Sequence, residues 1–149
     1  MRQTLFAAAL SLAPIVATAS PNVLLVIADD MGVDASPCHA QGSNMVRMPT
    51  LKSLCETGRV YDNAHAYPTC SPSRASLITG LYASRTGIGA PVSEEGGALS
   101  GDIPTVFDYL TEAGYASATI GKWHLTPDRR DGGHTAEVGI PYYYGPFGG

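Results

Sequence analysis

The 149-residue chain has few charged side chains, 15% of its residues, and no run of basic ones. With a formal net charge of −4, it lacks the basic surface that nucleic-acid binding requires, so an anionic ligand would need a local positive pocket. Its three cysteines include no Cys-x-x-Cys pair, which disfavours a small redox protein. Beyond the N-terminal stretch no apolar run is long enough for a membrane span. These missing features favour a globular protein with one modest hydrophobic core, and the sequence contains no internal repeats.

The first nineteen residues have the pattern of an export signal. Arg2 precedes an apolar stretch at residues 5–16, and Ala17-Thr18-Ala19 matches a small-residue cleavage site. We therefore predict that residues 1–19 are a signal peptide and that the mature chain is periplasmic or secreted. A retained or lipid-anchored form is the less favoured alternative.

Predicted strands alternate with predicted helices along the rest of the chain. The strands are residues 22–28, which read as buried on both faces, then 59–64 and 115–120, and the helices are 50–57, 72–79 and 104–113. Glycine and proline cluster at 87–101 and from 132 to the end, which predicts loops. This alternation indicates an α/β sheet, whose ligands bind beyond the carboxyl ends of the strands.

Polar side chains follow two of these strands. Asp29 and Asp30 come directly after the first, and Lys122 and His124 come after the third. Two adjacent carboxylates repel unless a cation lies beside them, and their oxygens suit calcium or magnesium. The alternative for the aspartates is a turn with an aspartate cap. We expect the four side chains to converge on one crevice.

Lys122 and His124 flank Trp123 and point to the same side if the segment is extended. In that case Lys122 can hold an anion, and His124 can transfer a proton at working pH. A surface lysine and a satisfied loop histidine are the alternative. His65 follows the second strand and is a weaker candidate for the same pocket.

The helix at 72–79 has strong start and stop signals. Ser71 is expected to cap it, Pro72 to take its first position and Gly80 to end it. Cys70 would then lie just outside the helix, where an anion meets free N–H groups and the Arg74 guanidinium. The alternative is an ordinary helix start with a half-buried cysteine.

The run Cys70-Ser71-Pro72-Ser73-Arg74, followed by Ala-Ser-Leu-Ile-Thr-Gly, resembles the signature of the type I sulfatases. Residues 21–32, 48–51, 58–61, 114–125 and 142–149 resemble further family segments in the same order. The resemblance implies an α/β fold, an alkaline-phosphatase-like sandwich with a mostly parallel central sheet, incomplete in this chain. Residues 20–149 would be the truncated N-terminal part of the catalytic domain.

The family resemblance also implies a chemistry. A formylglycine-generating or sulfatase-maturating enzyme would oxidise Cys70 to formylglycine, whose hydrate supplies the oxygen that attacks sulfur. The substrate would be a small-molecule or carbohydrate sulfate ester. Site residues carried over from the family are, for catalysis, Cys70, Arg74, Lys122 and His124, and, for calcium, Asp29, Asp30 and the modified Cys70.

If Cys70 is modified, Cys38 and Cys55 are left as a possible disulfide pair. Cys55 also fits the apolar face of a helix, so a buried free thiol is equally open. Cys38-His39 is a weak zinc signal, because no second ligand pair has metal-site spacing.

The family's second half supplies further calcium ligands and another lysine and histidine, none of which can be assigned in this chain. We therefore expect a fragment with impaired sulfatase activity. A non-catalytic remnant that only binds or assembles is the alternative. A phosphoryl-transfer relative is disfavoured, because such enzymes generally have serine or threonine where Cys70 lies.

Overall fold

The computed structural model describes residues 20–39, 41–43, 45–94, 96–127 and 132–148; the signal peptide predicted at 1–19 lies outside them. The elements in these ranges are a 3-10 turn at Val33–Ala35, helices α1 (Pro49–Thr57), α2 (Cys70–Thr79), α3 (Ala83–Thr86) and α4 (Val106–Glu112), strand β1 (Thr119–Ile120), helix α5 (Gly132–Glu137) and strand β2 (Tyr143–Tyr144). Among the described residues, none of the helices has the length and apolar character needed to cross a membrane.

Strands β1 and β2 form a parallel pair, with Thr119 opposite Tyr143. The connection between them contains α5, so the unit is β–α–β, as parallel pairing requires a crossover. The ladder continues beyond β1, where the Trp123 N–H donates to the Pro146 carbonyl at 3.0 Å. Parallel pairing with a helical crossover confirms the predicted α/β class.

The apolar core is formed by α2, the loop after α3, the segment after β1 and the segment between α5 and β2. Its buried members are Ala75, Ile78, Ile88, Val92, Leu99, Trp123, Leu125, Val138 and Ile140. The N–H of fully buried Leu99 donates to the carbonyl of fully buried Leu125 at 2.9 Å. This bond fixes the loop after α3 against the segment that follows β1.

Two of the predicted strands are wrong. Residues 22–28 and 59–64 do not form strands, and their side chains are exposed, with Leu24 87% and Tyr61 70% accessible. Their composition suits a strand, but a strand also needs a neighbouring backbone to pair with. In the described part of the chain, β1 and β2 pair only with each other. The third predicted strand, 115–120, is reduced to β1.

The predicted helices lie close to the observed ones. Helix α1 begins one residue earlier than predicted, and α4 lies inside 104–113, where Thr105 and Asp108 form a capping box. Gly80 ends α2 with φ of 70°, in the left-handed conformation that glycine adopts without strain. The loop predicted from residue 132 onward is wrong, since α5 and β2 lie there.

Cys38 and Cys55 form a disulfide, with Cα atoms 5.3 Å apart. Of the two alternatives that the sequence leaves open, the structure therefore has the bonded pair. The bond attaches the segment after the 3-10 turn to α1.

Tyr143 in β2 fixes the end of the parallel pair. Its hydroxyl lies 2.9 Å from the Gly121 carbonyl and 2.8 Å from the Pro146 carbonyl, to which it donates. Burial raises the pKa of Tyr143 above its ordinary value. Because the neutral form is favoured in the fold, this contribution to stability is present below pH ~10 and is lost as the pH rises through the folded-state pKa.

We expect Tyr143→Phe to lower the free energy of unfolding by about 1–2 kcal/mol at neutral pH. It should also remove part of the stability loss on alkaline titration, because no phenol then ionises at this position. Tyr144→Phe is the matched control, since Tyr144 is 71% exposed. Urea unfolding at pH 7 and above pH ~10 measures both effects. Equal behaviour of the two variants would contradict the assignment.

Candidate active site

Helix α2 begins at the candidate nucleophile. Thr69 is its N-cap residue with extended backbone, φ of −133°, and Cys70 is the first helical residue. The predicted cap at Ser71 and the position of Cys70 outside the helix are therefore wrong. Ser71 and Pro72 are buried in the first turn, so the half-buried Cys70 side chain is held on a packed helix end.

The Cys70 thiol faces His124. The two atoms, Cys70 Sγ and His124 Nδ1, lie 3.1 Å apart, although 54 residues separate them in sequence. The other ring nitrogen, Nε2, lies 3.2 Å from the Val92 carbonyl. A carbonyl oxygen only accepts, so Nε2 carries a proton, and in the neutral ring Nδ1 has a free lone pair aimed at position 70.

The backbone around His124 explains how its ring reaches Cys70. The His124 N–H donates to the Phe147 carbonyl at 2.8 Å, and its φ is 56°. A left-handed conformation is uncommon for a residue other than glycine, and here it bends the chain away from the extended path of β1. The Trp123 side chain, 3% exposed, packs into the core, and its neighbours Lys122 and His124 face the site.

Two cations and one carboxylate complete the cluster. Lys122 Nζ donates to Asp29 Oδ2 at 2.8 Å. Arg74 donates from one terminal nitrogen to the Lys122 carbonyl at 2.6 Å, and its other terminal nitrogen lies 3.5 Å from Asp29 Oδ1. Asp29 is thereby joined to the site even though residues 22–28 form no strand.

These contacts shift the protonation of three groups. The hydrogen bond from Lys122 lowers the pKa of Asp29, and the same bond raises the pKa of Lys122. The nearby Cys70 sulfur raises the pKa of Lys122 further. Burial of the ring, and next the Lys122 charge, lower the pKa of His124. At neutral pH the cluster therefore combines an ammonium, a carboxylate and a neutral imidazole.

The donor chemistry of Asp29 and Asp30 fits a calcium ion, because both supply hard carboxylate oxygens. Asp30 follows with φ of 58°, so the chain turns sharply at the pair. Both Asp29 oxygens already face cations. In the described ranges no three histidine, cysteine or acidic side chains gather closely enough to hold a metal ion. Calcium takes six to eight oxygens, so water or other protein groups would supply the rest.

The structure thus brings together Asp29, Cys70, Arg74, Lys122 and His124. Asp30 is exposed beside Asp29. The weaker candidate, His65, is exposed and bonds the Asn63 carbonyl at 2.9 Å. A cavity of about 430 Å³ lies next to His124, between the loop at 92–94 and the segment at 126–127. A larger one, about 660 Å³, lies around β2 and does not touch the cluster.

Sequence reasoning missed a buried support for the site, His134. The Trp123 indole donates to His134 Nδ1 at 3.0 Å, and His134 Nε2 lies 2.8 Å from the Leu99 carbonyl. His134 is 4% exposed and therefore holds the tryptophan between Lys122 and His124. Only the tryptophan gave a signal in the sequence, as a large ring between two polar residues.

Comparison with known proteins identifies the family. The Sulfatase family model matches residues 21–148, so the chain belongs to the sulfatase family. Human arylsulfatase D is 36% identical over 140 residues, covering 85% of this chain and 23% of the relative. Human steryl-sulfatase is 34% identical, covering 87% of this chain and 24% of that protein. The chain therefore spans about a quarter of the length of these curated relatives.

Solved structures agree with this family. The crystal structure of Ps i-CgsB matches with a TM-score of 0.72 and 30% identity, over 87% of this chain and 28% of that one. The same protein in complex with k-i-k-neocarrahexaose matches with a TM-score of 0.67. The α/β fold is thus the alkaline-phosphatase-like fold of sulfatases, of which this chain forms part.

Proposed function

We propose that this chain carries the nucleophile and part of the sulfate pocket of a sulfuric ester hydrolase. The observation that supports this most is the 3.1 Å approach of His124 Nδ1 to Cys70 Sγ, beside the paired cations of Arg74 and Lys122. One residue to be activated, one proton acceptor and two positive charges suit attack on an anionic ester.

Formylglycine made from Cys70 would, once hydrated, supply the oxygen nucleophile. The unmodified thiol could not take its place, because it would not support turnover. His124 provides the proton acceptor: its Nδ1 lone pair faces position 70 while Nε2 is bonded to the Val92 carbonyl. Because the ring is neutral at working pH, it can accept a proton there and return one to the leaving alcohol.

Lys122 and Arg74 would hold sulfate oxygens and stabilise the negative charge of the transition state. Their present partner, Asp29, is a carboxylate and shows that both cations can face one anion. Asp29, Asp30 and the modified Cys70 would hold calcium, which would polarise the sulfate oxygens.

We propose a small-molecule or carbohydrate sulfate ester as the substrate. The relatives include human steryl-sulfatase and the N-acetylglucosamine-6-O-sulfatase of Bacteroides thetaiotaomicron, and a structural neighbour was solved with a neocarrahexaose. We propose that the cavity of about 430 Å³ beside His124 receives the alcohol portion.

The proposed location is periplasmic or secreted, after removal of residues 1–19. The Cys38–Cys55 disulfide supports an oxidising compartment. Modification of Cys70 further requires a formylglycine-generating or sulfatase-maturating enzyme as a partner.

Hydrolysis by the matured chain tests the proposal. The 149-residue protein, coexpressed with a maturating enzyme, is incubated with an aryl sulfate and with a sulfated amino sugar, with and without calcium. We expect slow, calcium-dependent sulfate release, since relatives are about four times longer. We also expect calcium to raise the melting temperature. An unmodified Cys70 with no calcium effect would instead favour the non-catalytic remnant.

A further inference from the structure

Ser71, the residue after the nucleophile, has a contact that the proposed chemistry does not use. It is fully buried, and its Oγ accepts a hydrogen bond from the Val92 N–H at 3.0 Å. The carbonyl of the same Val92 lies 3.2 Å from His124 Nε2. His124 Nδ1 in turn meets Cys70 Sγ at 3.1 Å. The contacts form a closed ring that starts and ends on adjacent residues of α2.

This ring determines which His124 nitrogen faces the nucleophile. Of the two tautomers of a neutral imidazole, only the one protonated on Nε2 satisfies the Val92 carbonyl. The carbonyl lies in the segment 87–94, which has no helix or strand to fix its backbone. The buried Ser71 hydroxyl is the side-chain contact that ties this backbone to the nucleophile's own helix.

We infer that Ser71 is a positioning residue, which holds the Val92 peptide so that its carbonyl sets the tautomer and orientation of His124. This role rests on the proposed sulfate ester hydrolysis, in which His124 must present an unprotonated Nδ1 to position 70. The Ser71 hydroxyl bonds the Val92 N–H, so we expect Ser71 to act through one peptide group rather than on the substrate.

The chain offers a matched control in the same helical turn. Ser73, three residues after Cys70, also has a hydroxyl, but its Oγ donates to the Tyr67 and Thr69 carbonyls, at 3.1 and 2.8 Å. Loss of the Ser73 hydroxyl therefore removes helix contacts without reaching Val92 or His124.

The test compares Ser71→Ala, Ser71→Thr and Ser73→Ala in the full chain coexpressed with a maturating enzyme. The first readout is the pair of ¹⁵N chemical shifts of the His124 ring, which distinguishes the two tautomers. The second is turnover per mole of modified residue 70, counted by peptide mass spectrometry so that altered maturation is not mistaken for altered catalysis.

We expect Ser71→Ala to move the two ring nitrogens toward the averaged shifts of mixed tautomers. Its kcat should fall by about 10-fold or more while KM changes little, since supporting groups of this kind contribute 10–100-fold. Ser71→Thr keeps the hydroxyl and should restore both readouts, and Ser73→Ala should resemble the parent protein.

The two readouts separate this inference from the proposed function. Parent-like His124 shifts in Ser71→Ala would overturn the positioning role whatever the activity. Mixed tautomers of His124 in Ser71→Ala, with no hydrolysis by any variant or by the parent, would support the positioning role of Ser71. The same result would overturn the proposed sulfate ester hydrolysis. Should Ser71→Ala not fold, the parent protein decides: a neutral His124 ring protonated on Nδ1 would overturn the inference.

Discussion

Replacing Cys70 with alanine is expected to reduce the turnover of an aryl sulfate by ~10⁴-fold or more, the scale on which loss of a nucleophile acts. The Cys70 sulfur is the hydrogen-bond partner of His124 Nδ1, at 3.1 Å. Without it, the histidine has no proton to accept, and Arg74 and Lys122 can bind a sulfate ester but cannot cleave it. Binding should therefore survive while turnover is lost.

A second substitution at the same position separates the aldehyde from the thiol. Cys70→Ser keeps a hydroxyl near His124 but is not the cysteine that the proposed maturation requires. We expect it to turn over as poorly as the alanine variant, measured as sulfate released by matched amounts of folded protein. Parent-like turnover with serine would show that the nucleophile does not depend on modification of a cysteine.

Replacing Lys122 with alanine is expected to lower turnover by ~10²-fold or more and to weaken binding of inorganic sulfate. Lys122 is 22% exposed and donates to Asp29 at 2.8 Å, so its removal leaves that carboxylate with only Arg74 at 3.5 Å. The site would lose one of the two positive charges that are proposed to hold the sulfate oxygens. Turnover of an aryl sulfate and calorimetric titration with sulfate measure the two effects.

The control for this substitution is Lys52→Ala. Lys52 is 63% exposed in α1, where its partner is Glu56 four residues on. Exposed pairs of this kind contribute at most about 1 kcal/mol, so the variant should retain turnover and sulfate binding. If Lys122→Ala matched Lys52→Ala in both measurements, Lys122 would not belong to the sulfate pocket.

The convergence of the site was predictable because it depends on local rules and on the family resemblance. Lys122 and His124 follow β1 by a few residues, at the strand end where α/β sheets place ligands. Cys70 was marked by the proline and arginine that follow it. The left-handed backbone at His124 was not predictable, since nothing in the residue type requires it.

The supporting contacts could not be predicted, because they join segments that are distant in the chain. Ser71 looks like a helix cap, but its hydroxyl is committed to Val92, and Thr69 takes the cap position instead. His134 lies in a glycine-rich stretch that predicts a loop. That stretch forms α5 because burial of His134 and Val138 outweighs the low helix propensity of its glycines.

The predicted strand at 22–28 failed for a related reason. Its continuous apolar sequence indicates burial on two faces, and composition cannot say whether the covering partner is near. Asp29 still reaches the site through Lys122. The position of the carboxylate therefore depends on an ion pair rather than on the strand that was expected to carry it.

Whether Cys70 is the precursor of the nucleophile is decided most directly by the mass of the peptide that contains residue 70, from protein coexpressed with a maturating enzyme. We expect a peptide about 18 Da lighter than the sequence requires, with an aldehyde that reacts with a hydrazide probe. A peptide with only the intact Cys70 thiol, from a host that modifies a known sulfatase in parallel, would contradict it.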